Sequence, residues 1–222
     1  MSCFSQRKVE LVRHKAFIED GNTNLQKSVT DGDGGLKELR RSMVDQRYFN
    51  SVDVAFTSVL SALWIVLHLT FGPLGFKLFH LPIFCDVSAY FTLLLAVWVS
   101  GKFGVASFTG AVGSIFVLLL RGGAFHILGF AASAVFFDLL FLATKHKTLA
   151  KPATIAATII ITTVSAYVAG AVIGLVFMGG ALQWALTYWA GLHAVGGLLS
   201  GFITLPVIGA LEKANVRRLI NV

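Results

Sequence analysis

The chain has 222 residues, of which 56% are hydrophobic and 13% charged, and its formal net charge is +7. Mean hydropathy is +0.78. A soluble domain of this length carries about 25% charged residues, so this composition excludes an ordinary water-soluble globule and a disordered chain, and implies lipid as the solvent. Residues 1–47 hold nine of the eighteen basic and seven of the eleven acidic side chains. Once the apolar runs are set aside no basic face remains, so the positive balance does not indicate nucleic acid.

The first segment, 1–47, reads as a polar, disordered cytoplasmic tail. MSCFSQRKVELVRHKAFIED lacks the apolar centre of a cleaved signal peptide. The stretch 20–35 is turn-forming and offers nothing to build a core from. Asp31-Gly32-Asp33-Gly34 opens like a calcium loop, but the twelfth position is Ser42 where such a loop needs a bidentate Glu. A short helix around Leu36–Met43 would act as a basic anchor to anionic lipid. Cys3 and Cys85 fall in the tail and beside an apolar run, without the spacing of a metal site or redox motif.

From residue 48 to 222 the chain reads as an all-α integral membrane domain, a bundle of six transmembrane helices with a folded first outer loop. About twenty residues at 1.5 Å rise cross a bilayer core. Apolar runs of that order lie at about 53–71, 83–101, 103–121, 124–144, 153–178 and 184–210. They are continuously apolar, whereas barrel strands alternate. With the tail inside, eleven basic residues flank the runs on the cytoplasmic side: Lys37, Arg40, Arg41, Arg47, Lys102, Lys145, Lys147, Lys151, Lys213, Arg217 and Arg218. Only Lys77 and Arg121 face outward. This bias predicts a multi-pass protein of the cell membrane with both termini cytoplasmic.

Helices in lipid associate by close packing of small residues. Such ridges are Ala106/Gly110/Ser114, Ala166/Gly170/Gly174 and Gly197/Gly201, each expected to pack within the bundle. On the first helix Ala55, Ser58 and Ala62 share a face that either packs inside or docks a partner membrane subunit.

Ionisable residues within spans are functional candidates, because they cost about 2.5–3.5 kcal/mol to insert. Asp53 and Lys102 fall at interfaces. Asp138, deep in the fourth run within FFDLLF, is either paired with Lys145 or Lys147 or acts as a proton or ion relay. Asp86 lies near the outward start of the second helix, where the helix dipole favours a carboxylate. Arg121 and His126 sit together on the outer side, and Arg121 alone could be a snorkelling cation. At the start of the sixth run, Trp184 and Tyr188 fit an interfacial belt, whereas Trp189 and His193 lie on the ridge of Gly197 and Gly201 and face inward. The stretch 72–82, GPLGFKLFHLP, holds Lys77 and His80 and is expected to fold over the outer mouth as a cap.

No HExxH, GxSxG or nucleotide-binding GxxxxGK[ST] occurs. Nothing in the sequence points to an enzyme, a metal or a cofactor, and an active transporter built on this chain would need a separate ATPase.

Three stretches, SVDVAFTSVLSAL (Ser51–Leu63), the run Phe71–Asp86 ending LPIFCD, and LRGGAFHILGFAASAVFFD (Leu120–Asp138), resemble the substrate-binding S component of energy-coupling-factor (ECF) vitamin transporters. The similarity covers most of 48–211. The family's first-helix pair of alanines separated by three residues is here Ala55/Val59 and Ser58/Ala62. The resemblance implies capture of a vitamin or related small molecule from outside, followed by coupling to a transmembrane T subunit and two cytoplasmic ATPases. It also implies a pocket formed by Phe76–Phe84, Arg121, His126, Trp184, Tyr188, Trp189 and His193. Two other classes fit the same composition: a proton- or ion-coupled secondary carrier, and a non-transporting membrane subunit.

Overall fold

The computed structural model describes residues 49–145, 147–148 and 152–216. The expected tail with its short helix, Cys3, and the flanking cations Lys37, Arg40, Arg41, Arg47, Lys151, Arg217 and Arg218 lie outside the described residues.

Six helices follow in order: α1 (Ser51–Phe79), α2 (Ile83–Ser100), α3 (Val105–Leu120), α4 (Phe125–Ala143, opened by one 3-10 turn), α5 (Pro152–Phe177) and α6 (Leu182–Lys213). No strand occurs among the described residues. Five of the six are long and apolar enough to cross a membrane, which makes this a multi-pass helical membrane protein. The sixth, α3, is apolar but has 16 residues, about 24 Å, where the sequence predicts a full span over 103–121. Glycines trim it. Gly101 (φ 64°) and Gly104 (φ 93°) hold left-handed conformations between α2 and α3, and Gly123 (φ 84°) does so after α3.

The first connection differs from expectation. Residues 72–79, predicted as part of a folded cap, are the last two turns of α1, and only His80, Leu81 and Pro82 connect α1 to α2. Helical backbone satisfies its own polar groups, which favours helix over loop in an apolar surrounding, and Pro73 forfeits a single bond. The helix ends where His80 turns left-handed (φ 55°) and donates its N–H to the Phe76 carbonyl at 3.1 Å. Pro82 follows two residues later. At 29 residues, or about 43 Å, α1 exceeds a hydrocarbon core of about 30 Å, so its last turns extend past it or the helix tilts.

The helices alternate in direction and define two rims. The basal rim gathers the start of α1, the end of α2, the start of α3 and the end of α6. There the Asp53 carboxylate accepts from Ser100 Oγ at 2.6 Å and Lys102 Nζ at 2.5 Å. Nearby, Trp98 Nε1 donates to Glu212 Oε1 at 3.0 Å. The distal rim gathers the ends of α1, α3 and α5 with the starts of α2, α4 and α6. Lys102, Lys145, Lys147 and Lys213 flank basal helix ends, whereas Lys77 and Arg121 flank distal ones.

Small residues set the helix spacing. A Cβ on Gly110 would collide with that of Ala134, and one on Gly113 would collide with the Trp64 ring. Gly197 meets Ala166 and the Thr162 carbonyl, and Gly170 meets the Ala190 backbone. The ridges Ala106/Gly110/Ser114, Ala166/Gly170/Gly174 and Gly197/Gly201 are therefore buried between helices. Ala55, Ser58 and Ala62 are all exposed, on a face of α1 that no other described helix covers.

Asp138 is fully buried, and its Oδ2 accepts from both the backbone N–H and the hydroxyl of Ser107, each at 2.7 Å. The carboxylate thus satisfies a free donor in the first turn of α3, where the helix dipole also favours it. Ser107 is thus a partner of Asp138 that the sequence does not indicate.

Candidate functional site

A cavity of about 250 Å³ lies toward the distal rim. His68, Gly72, Pro73 and Phe76 line it from α1, Pro82 from the connection, and Cys85 from the first turn of α2. Arg121 closes α3 beside it, and His126 and Phe130 enter from α4. Ile173, Met178, Trp189 and His193 complete the wall from the α5–α6 hairpin. A second hollow of about 300 Å³ between α1 and α2 is lined by Leu67, Phe71, Phe84, Val87, Ser88 and Phe91. It carries no ionisable group, whereas the first gathers three imidazoles, a guanidinium and a thiol. Few polar groups converging in an apolar hollow is the composition of a small-molecule site.

Local helix geometry explains the convergence. His68, Gly72 and Phe76 repeat every four residues, which puts them on one face of α1. A Cβ at Gly72 would lie 3.3 Å from Cys85 Sγ and 3.9 Å from His68, so glycine there lets α1 approach α2. The α5–α6 hairpin carries two π-helical turns, Ile173–Phe177 and Ala185–Trp189. Such widened turns change which side chains a helix presents and occur often at functional sites. Here the two turns pack together, with Gly174 of one against Ala185 and Trp189 of the other.

Aromatic rings form the inner wall. Phe130 is 1% exposed, with ring centroids 6.0 Å from His68, 5.8 Å from His193 and 6.5 Å from Tyr90. Trp189 meets His193 edge-on at 5.5 Å, stacks on Trp184 at 5.5 Å, and lies 6.5 Å from Phe76. Tyr90 is anchored to Ser133 by a 2.8 Å hydrogen bond.

The most buried polar element is a pair. Asp86 is 0% exposed, and its Oδ1 lies 2.8 Å from His193 Nδ1. Asp86 lies in the first turn of α2, as the sequence predicts, and stands behind His193 within the bundle. Gly196 makes room for it: a Cβ there would lie 2.6 Å from Asp86 Oδ2. Four buried polar atoms of this region have no hydrogen-bond partner: Asp86 Oδ2, His193 Nε2, His68 Nδ1 and Trp189 Nε1.

Of the residues singled out from sequence, Arg121, His126, Trp189 and His193 line the cavity, with Phe76 and Pro82 from the stretch Phe76–Phe84, and Asp86 backs it through His193. Lys77, His80, Trp184 and Tyr188 are exposed and do not line it, although Trp184 braces Trp189 from outside. Sequence reasoning does not reach His68 and Phe130. An ionisable group inside an apolar span is itself a signal for His68, whereas Phe130 is one phenylalanine among 19. Among the described residues no cluster of three His, Cys, Asp or Glu is placed to hold a metal. No protein-family model, curated protein or solved structure matches the chain.

Proposed function

We propose that this protein is a membrane-embedded capture subunit for a small molecule, of the kind represented by ECF-type S components. In this reading the distal rim faces the exterior, both termini are cytoplasmic, and a separate T subunit with its ATPases drives release. The observation that carries it is the convergence of residues from five helices, and of Arg121 at the end of α3, on one polar-and-aromatic cavity toward a single rim. Two further features support it. The cations Lys102, Lys145, Lys147 and Lys213 flank the opposite rim, as expected if that rim is cytoplasmic. The small-residue face Ala55/Ser58/Ala62 is left uncovered on α1, where a membrane partner could approach closely.

Co-expression with a T subunit and its ATPases is expected to yield a stable complex and ATP-dependent uptake, lost on Trp189→Ala. A second reading, an ion-coupled carrier, draws on the buried Asp86–His193 pair as a proton-accepting group. Uptake that persists without any ATPase and is abolished by Asp86→Asn would establish the carrier and overturn the capture subunit.

A further inference from the structure

The hydrogen bonds at the cavity floor limit what it can hold. Asp86 and His193 share one hydrogen between Oδ1 and Nδ1. Two protonation states of the pair are electrically neutral: carboxylate with imidazolium, and carboxylic acid with neutral imidazole. In both, when the acid's hydrogen is the one shared with Nδ1, Nε2 of His193 carries a hydrogen. Nε2 becomes an acceptor only in a pair of net charge −1, which is costly at a fully buried site, or with the acid hydrogen on Oδ2, which has no partner to receive it. His193 Nε2 is thus a donor, buried and without a partner. Trp189 Nε1 can only donate, and it too is buried and unpartnered. The cavity lining contains no carboxylate, amide or hydroxyl side chain that could accept these hydrogens. At the mouth, Arg121 and His126 are exposed and add positive potential, with no acidic residue lining the cavity to offset it.

We propose that the cavity takes a planar aromatic acid. Its ring packs among Phe76, Phe130 and Trp189, and its acceptor atoms meet His193 Nε2 and Trp189 Nε1. Its negative charge is drawn in by Arg121. Aromatic walls favour a flat ligand through offset and edge-on contacts. Buried unpaired donors discriminate strongly against a ligand that cannot accept from them. This assignment rests on the capture reading, because it names the ligand chemistry of the same cavity.

The test uses three probes of one shape: benzoate, benzamide and benzylamine. Binding to the full-length protein in detergent is read by ligand-detected NMR. Occupancy of the cavity is read by protection of Cys85, which lines it, from a membrane-permeant maleimide in a Cys3→Ser background. Benzoate is expected to bind at least tenfold more tightly than benzylamine, with benzamide between them, and to protect Cys85. Trp189→Phe keeps the ring but deletes the donor, and Arg121→Gln removes the charge. Each is expected to narrow the benzoate–benzylamine gap by threefold or more. Benzylamine binding as tightly as benzoate while protecting Cys85 would overturn the aromatic-acid assignment and leave the capture reading standing. A gap that both variants leave intact would also overturn the assignment. Failure of all three probes to bind or protect would overturn both.

Discussion

Asp86→Ala alone is expected to destabilise the protein by about 3–5 kcal/mol, the cost of stripping one partner from a buried pair. Asp86 is 0% exposed and His193 is 2% exposed, so neither group can turn to water when the other is removed. His193→Ala should cost a similar amount, because it leaves a carboxylate enclosed by Gly196 and the α2 backbone. Removing both groups eliminates the mismatch, so Asp86→Ala/His193→Ala should cost less than the two single changes added together by roughly 1–3 kcal/mol. Denaturant or thermal unfolding of the four proteins in detergent measures this cycle. Additive single effects would show that the 2.8 Å contact contributes nothing to stability, and the neutral-pair account of His193 Nε2 would fall with it.

Gly197→Ala is the second large effect. The new Cβ would collide with Ala166 Cβ and lie 2.7 Å from the Thr162 carbonyl oxygen, both of which belong to the packed surface of α5. A backbone carbonyl cannot swing aside as a long side chain can, so α5 and α6 must separate. Overpacking of this kind costs about 1–3 kcal/mol. At Gly191 and Gly209 on the same helix an added Cβ would meet nothing within 4 Å. Alanine at either should be neutral or stabilising by up to about 1 kcal/mol, since it lowers the entropy of the unfolded chain. Equal effects at Gly197 and Gly209 in thermal unfolding would contradict the close α5–α6 contact.

Helix positions are readable because lipid demands long continuous apolar runs, and the six runs in the sequence coincide with the six helices to within a few residues, apart from the longer α1. The ridges Ala106/Gly110/Ser114 and Ala166/Gly170/Gly174 are readable for a related reason, as small residues spaced by four mark close contacts. Gly72–Pro82 misleads because glycine and proline punctuate structure in water, whereas in an apolar surrounding an unsatisfied backbone costs more than a proline inside a helix. Lys77 therefore lies on α1 and His80 just after it, and both are exposed and absent from the cavity lining.

The cavity itself is partly readable. Trp189 and His193 belong to it because one helical turn separates them on a ridge of glycines. Helix position alone singles out Asp86, but its partner lies 107 residues away, and no local pattern specifies that pairing. The two π-helical turns that bring Ile173, Met178 and Trp189 to the wall are likewise invisible to a count in steps of 3.6. Asp138 shows the opposite case. Its depth in the span marks it as a relay candidate, while its contacts with Ser107 give it a structural task at the start of α3.

The capture account depends on the cavity opening to the exterior, and cysteine labelling of intact cells tests this directly. In a Cys3→Ser/Cys85→Ala background, Lys77→Cys and Lys145→Cys place single thiols at the distal and basal ends of the helices. A membrane-impermeant maleimide should label Lys77→Cys in intact cells and reach Lys145→Cys only after the membrane is permeabilised. Labelling of Lys145→Cys alone, or of both positions, before permeabilisation would contradict it.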